Sequence, residues 1–169
     1  PDPAFLRWQA RSTAARAWTN GAWWWIDPDQ VILREPFTDA EARAAVVAQA
    51  VSGGAWLLGD DLAGLPEARL ALALHPGVVA LRGEAATPVN LLGHTSGIDP
   101  SPVVERTQAD DHVPTRWLFP DGSVALLNLS SEPVTLSAPE GVEALTGAET
   151  PADSSWTLAP ADGAIWLAP

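Results

Sequence analysis

Along residues 4–19 the large side chains Phe5, Trp8 and Trp18, together with Ala15, recur at three- to four-residue intervals among Arg and small residues, and Asn20-Gly21 follows as a stop. That period predicts a helix with one aromatic-bearing face. The run Ala22-Trp23-Trp24-Trp25-Ile26 is aromatic and unbroken, which predicts a short strand buried on both faces and opening into the loop Asp27-Pro28-Asp29. Thr38-Asp39-Ala40-Glu41 has capping-box spacing, in which the Thr hydroxyl accepts from a first-turn amide and the Glu reaches back to the cap amide. A helix is therefore expected from there through Ala44, Val47, Ala50 and Val51 to Ser52-Gly53-Gly54, where glycine closes it. Ala55-Trp56-Leu57-Leu58-Gly59 reads as a second buried strand, and a helix opening near Pro66 is expected to end at His75-Pro76-Gly77.

Helix, strand, helix, strand, helix, with loops at the strands' C-terminal ends, is the order of βα units on a parallel sheet. Beyond residue 77 the pattern changes. Short β-like runs separated by Gly, Pro, Asp and Ser replace the helical period, and residues 115–119 and 123–129 flank Pro120-Asp121-Gly122, a hairpin signal. Residues 134–136, 142–145, 156–158 and 164–167 supply further candidate strands. The expected organisation is α/β over 1–77, an irregular connection over 78–114, and an antiparallel all-β unit over 115–169.

Composition narrows the function classes. The 169 residues are 47% hydrophobic, enough to bury a core, and the nine Arg, with no Lys, face 21 acidic residues for a net charge of −12. A phosphate backbone or an anionic membrane would be repelled, so neither nucleic acid nor membrane is expected as a partner. With no Cys there is neither a disulfide nor a thiolate site, and the compartment stays open, with a soluble, cytoplasmic protein slightly favoured. No apolar run approaches the roughly 20 residues of a membrane helix. The chain starts with Pro rather than Met and enters a patterned segment at once, which suggests a piece of something longer.

The residues now in hand carry a resemblance. Trp25-Ile26-Asp27-Pro28-Asp29, Leu33-Arg34, Thr38-Asp39-Ala40-Glu41-Ala42-Arg43, Ser52-Gly53-Gly54, Leu58-Gly59-Asp60-Asp61-Leu62 and Leu65-Pro66 resemble, in order and spacing, the closing part of melibiase-like α-galactosidases, glycoside hydrolase family 36 of clan D. That family reads W-x-N-D-P-D-C-L-L-x-R, L-T-x-x-E-x-R, S-G-G, S-D-D-L and L-P. Farther on, Val124-Ala125-Leu126-Leu127-Asn128-Leu129-Ser130 with Glu132-Pro133 is similar to a strand of its C-terminal β-sandwich. The resemblance implies the C-terminal portion of a (β/α)₈ TIM barrel, followed by a small antiparallel β-sandwich.

It also implies chemistry. Ahead of the first helix the family carries R-x-G-P-D-x-A-P-F-W, and Pro1-Asp2-Pro3-Ala4-Phe5 aligns with the end of that motif, making Asp2 the counterpart of the general acid/base. A retaining glycosidase pairs such an acid with a nucleophilic carboxylate about 5 to 5.5 Å away. The family's nucleophile lies on an earlier strand outside this chain, so the implied activity is that of a fragment: release of terminal α-galactosyl residues from oligosaccharides by the intact protein, and none by these residues alone. Asp27, Asp29 and Trp25 fall on a loop where barrels build their sites and are the candidate substrate-binding residues. Ile26 stands where the family has Asn, and Gln30 where it has Cys.

Other candidates read more plainly. Asp60-Asp61 suits stabilisation of a following helix N-terminus. His75, His94 and His112 lack ligand spacing, so neither metal nor cofactor is expected. A competing reading makes the β-rich tail a carbohydrate-binding module through exposed Trp117, Trp156 and Trp166, and another gives it a structural role covering the barrel. A barrel lacking its other strands should expose an apolar edge that pairs with a second copy, as a homo-oligomer, or with the remainder of the same barrel.

Overall fold

The computed structural model describes residues 3–89 and 113–169. Helix α1 (Pro3–Arg16) continues into a 3₁₀ turn (Ala17–Thr19). Its buried positions are Leu6, Ala10, Thr13 and Ala14, which lie against helix α2 (Asp39–Ser52). Small side chains let two helix axes approach closely, so the Leu/Ala/Thr stripe turns inward. The aromatic face turns outward: Phe5, Trp8 and Trp18 are exposed.

Helix α2 forms where the capping box places it. Glu41 N donates to Thr38 Oγ1 at 3.2 Å, and Thr38 N donates to Glu41 Oε2 at 2.7 Å. Gly53 ends the helix at φ 64°, a left-handed conformation open cheaply only to glycine. From Ala44 to Ser52 every residue of α2 is buried. A helix apolar all round belongs in the middle of a fold rather than on its surface.

Strands β1 (Gln30–Val31) and β2 (Leu57–Leu58) pair in parallel, with Gln30 opposite Leu57 and Val31 opposite Leu58. Helix α2 is the connection between them, giving one β–α–β unit. The second expected strand is found, shortened. The first is not: residues 21–23 form a turn, closed by Gly21 N to Trp24 O at 2.8 Å and Trp23 N to Thr19 O at 3.1 Å, Trp24 makes only an isolated bridge to Asn20, and the strand starts beyond the Asp-Pro-Asp loop. Trp23, Trp24 and Trp25 are accordingly exposed instead of buried. Helix α3 (Glu67–Ala73) follows, and Pro76 starts α4 (Pro76–Ala80) where the sequence suggested a stop. Proline at a first helical position loses no hydrogen bond.

The remaining strands are antiparallel. A four-stranded sheet has the order β10 (Asp162–Trp166), β5 (Val124–Asn128), β4 (Arg116–Leu118), β3 (Thr87–Pro88). The expected hairpin is its centre, with Trp117 opposite Ala125. Strands β6 (Val134–Ser137) and β9 (Ser155–Leu158) form a second sheet, and β7 (Gly141–Val142) with β8 (Glu149–Thr150) a short ribbon. The two-residue strands β3 and β8 lie outside the predicted runs.

Alternation along β5 and β10 divides the core into two. Ala125, Leu127 and Ile165 join one large cluster with α2, while Val124, Leu126, Ala164 and Trp166 join Leu136, Trp156 and Leu158 of the β6–β9 sheet in another. The four-stranded sheet is thus the middle layer, between helix α2 and a two-stranded sheet. Gly163 permits the closeness of the first contact, since a Cβ there would stand 2.7 Å from Val47 Cγ2. Arg43 adds a two-pronged ion pair to Asp162, with Nε and Nη2 each 2.9 Å from a carboxylate oxygen.

Candidate functional site

The loop before β1 and helix α1 enclose an open cleft of about 490 Å³, lined by Trp8, Arg16, Trp24, Trp25, Asp27 and Asp29 among others. Three of the four sequence-predicted site residues, Trp25, Asp27 and Asp29, therefore come together. Asp2, the candidate acid/base, lies outside the described residues, as do His94 and His112.

The loop's shape follows from local polar chemistry. Asp27 Oδ1 accepts from Asp29 N at 2.9 Å, an Asx turn, and Asp29 itself sits at φ 66°, a conformation Asp tolerates better than most residues. Three side chains from other elements pin this turn. Asn20 Oδ1 accepts from Ile26 N at 2.7 Å, the Gln9 amide donates to the Pro28 carbonyl, and Gln49 Nε2 donates to Ala55 O at 2.6 Å and Asp29 O at 3.3 Å. Pro28 is buried, while the carboxylates of Asp27 and Asp29 stay exposed.

Sequence reasoning missed Gln9, Asn20 and Gln49. Gln49 had a signal available: it is a polar residue amid the Ala and Val of a wholly apolar helix, and a buried amide must find partners. Gln9 and Asn20 had none, because their partners lie 19 and 6 residues away on a loop of unknown path.

A second brace joins the C-terminal ends of the parallel strands. Asp60, after β2, accepts from Leu33 N at 2.5 Å and from Arg34 Nη1 at 2.7 Å, both after β1. Arg69 of α3 donates to Leu33 O at 2.7 Å, Phe37 O at 2.9 Å and Asp39 Oδ1 at 2.9 Å. Asp60 thus acts across the sheet end rather than as a helix cap, and Asp61 Oδ1 alone takes a local amide, from Ala63 at 3.2 Å. His75 Nδ1 accepts from Val78 N at 3.3 Å, so the ring caps the start of α4.

The tail offers no indole platform. Trp117 and Trp166 are buried, their ring N–H groups donating to Pro114 O at 2.9 Å and Thr150 Oγ1 at 2.8 Å, and half-buried Trp156 stands edge-on to Trp166 at 5.2 Å. Carbohydrate binding through exposed Trp117, Trp156 and Trp166 loses its basis, because Trp117 is buried in the core that includes α2 and the other two rings pack between the two sheets. Among the described residues no cluster of His, Cys, Asp or Glu could hold a metal ion, and no helix is long and apolar enough to cross a membrane.

No family model matches the sequence, and no curated protein matches it. Solved structures do. The GH27 β-L-arabinopyranosidase of Geobacillus stearothermophilus superposes with a TM-score of 0.67 over 97% of this chain at 13% identity. The α-galactosidase I of Mortierella vinacea gives 0.58 over 90% at 13%, and the α-galactosidase of Saccharomyces cerevisiae 0.54 over 77% at 18%. The fold is similar to that of part of the α-galactosidase-like glycosidases. The chain spans only 41%, 41% and 29% of those three proteins. At such identities the likeness establishes the shared fold and singles out no family, family 36 included.

Proposed function

We infer that the chain is part of a retaining glycoside hydrolase that releases terminal α-galactosyl residues from oligosaccharides. The supporting observation is the cleft beside the parallel β1–α2–β2 unit, where an indole and two exposed carboxylates share a wall in a fold similar to glycosidases. Aromatic faces pack on the apolar face of a pyranose, and carboxylates accept from its hydroxyls. In this reading Trp25, Asp27 and Asp29 contact the sugar or border it, and Asp2 is the acid/base.

Double displacement needs a nucleophile facing the acid. It would come from an earlier strand of a (β/α)₈ barrel whose last βα units are residues 1–77, with residues 115–169 as the β-sandwich beside it. The 169-residue chain then binds weakly and turns over nothing.

The test has two arms. The isolated chain is incubated with a nitrophenyl α-galactoside, and release of nitrophenol above the buffer blank overturns the fragment reading. A longer gene product containing this chain is assayed with nitrophenyl α-galactoside beside the β-L-arabinopyranoside and α-glucoside. Preference for the galactoside, with loss of at least about a thousandfold in kcat for Asp2→Asn, is expected for a general acid/base that also orients the leaving group. Unchanged kcat in that variant removes Asp2 from the mechanism.

A further inference from the structure

Asp2, the candidate acid/base, is joined by one peptide bond to Pro3, the first residue of α1. What holds that end of the helix comes from the β part of the chain. Arg7 donates from Nε to the carbonyl of Leu129 at 3.0 Å, across 122 residues. A helix rises 1.5 Å per residue, so Arg7 lies only about 6 Å along the axis from Pro3. Leu6 and Ala10 are buried in the same apolar cluster as Leu129. The acceptor is itself fixed. Leu129 follows β5, and its neighbour Asn128 is buried, donating from Nδ2 to Ala159 O at 2.8 Å and Glu132 O at 2.9 Å, and accepting at Oδ1 from Ser130 Oγ at 2.7 Å and Ser130 N at 3.0 Å. A buried amide satisfied on both sides holds the backbone around it, so the carbonyl that receives Arg7 belongs to the packed β unit.

We propose that Arg7 is a positioning residue: it ties the start of α1 to the β unit and so sets where Asp2 stands. The inference rests on the glycosidase reading with Asp2 as acid/base, and it gives residues 115–169 a part in the chemistry beyond covering the helices. A misplacement of about 1 Å can cost a hundredfold in rate. When the glycosyl-enzyme forms, an oxygen of the nucleophile bonds to the anomeric carbon, the bond to the leaving oxygen breaks, and Asp2 gives its proton to that oxygen. A departing sugar alkoxide needs that proton, whereas a dinitrophenolate is a weak base and leaves without it. Loss of positioning is therefore felt on the first kind of substrate and spared on the second. A purely structural loss weighs on both alike.

The experiment compares kcat/KM, which reports formation of the glycosyl-enzyme, in the longer gene product for melibiose and for a dinitrophenyl α-galactoside. Arg7→Leu is expected to lose about tenfold or more on melibiose and to stay within about twofold on the aryl substrate. Arg7→Lys, which keeps a donor of similar reach, recovers part of the loss. Arg7→Gln, shorter yet polar, carries the same expectations as Arg7→Leu and replaces it where that variant does not fold. Deuterium uptake over residues 3–16 quickens in Arg7→Leu while that over residues 39–52 is unchanged. Asp2→Asn is measured beside them. If it spares the aryl substrate while Arg7→Leu slows both substrates alike or neither, the positioning role is overturned and the acid/base assignment stands. Unaltered uptake over residues 3–16 overturns it as well. If Asp2→Asn treats the two substrates alike, the acid/base reading fails and takes this inference with it.

Discussion

Arg43, on α2, grips Asp162, the first residue of β10, through two hydrogen bonds of 2.9 Å across 119 residues of chain. The hydrogen bonds to Asp162 raise the guanidinium above its ordinary pKa, burial opposing them and the nearby charges of Asp162, Glu143 and Asp39 adding to them. The pair ties the helical part to the β part at the edge of their common core. Removing one partner leaves a partly buried charge without its bonds, at a cost of about 2 kcal/mol. Asp162→Leu and Arg43→Met should each lower the unfolding free energy read from urea titration by that amount, and the double variant should recover part of it. Additive losses in this double-mutant cycle would deny the coupling.

Gly163→Ala tests how closely α2 lies on the sheet. The new methyl would meet Val47 at 2.7 Å and 2.9 Å, from its Cγ2 and Cβ, and the Cα of Ala44 at 3.2 Å. Two of those atoms are fixed by the helix, so α2 must move. Overpacking of this kind costs about 1–3 kcal/mol. Val47→Ala in the same background should return a share of it, as read by thermal unfolding, and a neutral Gly163→Ala would mean that the helix stands farther off.

Glu143 is fully buried, and its carboxylate accepts from Ile165 N at 2.8 Å, Leu145 N at 3.1 Å, and Thr146 N and Oγ1 at 2.8 Å and 2.6 Å. Glu143→Gln sets an NH₂ group against donors on one side, losing two of these bonds. The expected loss is about 2–3 kcal/mol, and hydrogen exchange should quicken at the Thr146 amide more than at that of Leu145. Equal protection at both would contradict the assignment of these bonds.

Much of this was readable in the residues, and the pattern of failure is physical. The cap at Thr38 and Glu41, the stop at Gly53 and the hairpin at Asp121-Gly122 depend on neighbours a few residues away, and each appeared where expected. A parallel pairing was expected from the order of periods, but its first strand lies at Gln30–Val31, beyond the run 22–26 where it was expected. Trp23 to Trp25 failed because an apolar run states that burial is wanted without naming a partner, and no partner covers them in the chain described. For α1, periodicity marked an aromatic face but could not tell that the small residues opposite it fit α2 better. Asp60 looked local beside a helix, while its real partners, Leu33 and Arg34, lie 27 and 26 residues back.

At the candidate site, Gln49 gives the most direct test of how the loop is held. Gln49→Leu keeps the volume near that of the amide and strands the carbonyls of Ala55 and Asp29. It should cost about 1–3 kcal/mol and loosen the Asp27 to Asp29 turn, raising its hydrogen exchange while that of β4 and β5 is unchanged. If the cleft takes sugar, the change in Trp fluorescence on titration with melibiose should weaken in this variant and vanish in Trp25→Ala. A signal that survives Trp25→Ala would place the sugar elsewhere.

Because α2 is enclosed by α1 and α3 on one side and by β5 and β10 on the other, the β tail is no detachable appendage. A gene rearrangement that exchanged residues 113–169 for an unrelated module would strip the cover from Ala44 and Val47, and the product should collapse or be degraded. Inheritance of the two parts is therefore bound together by one shared helix.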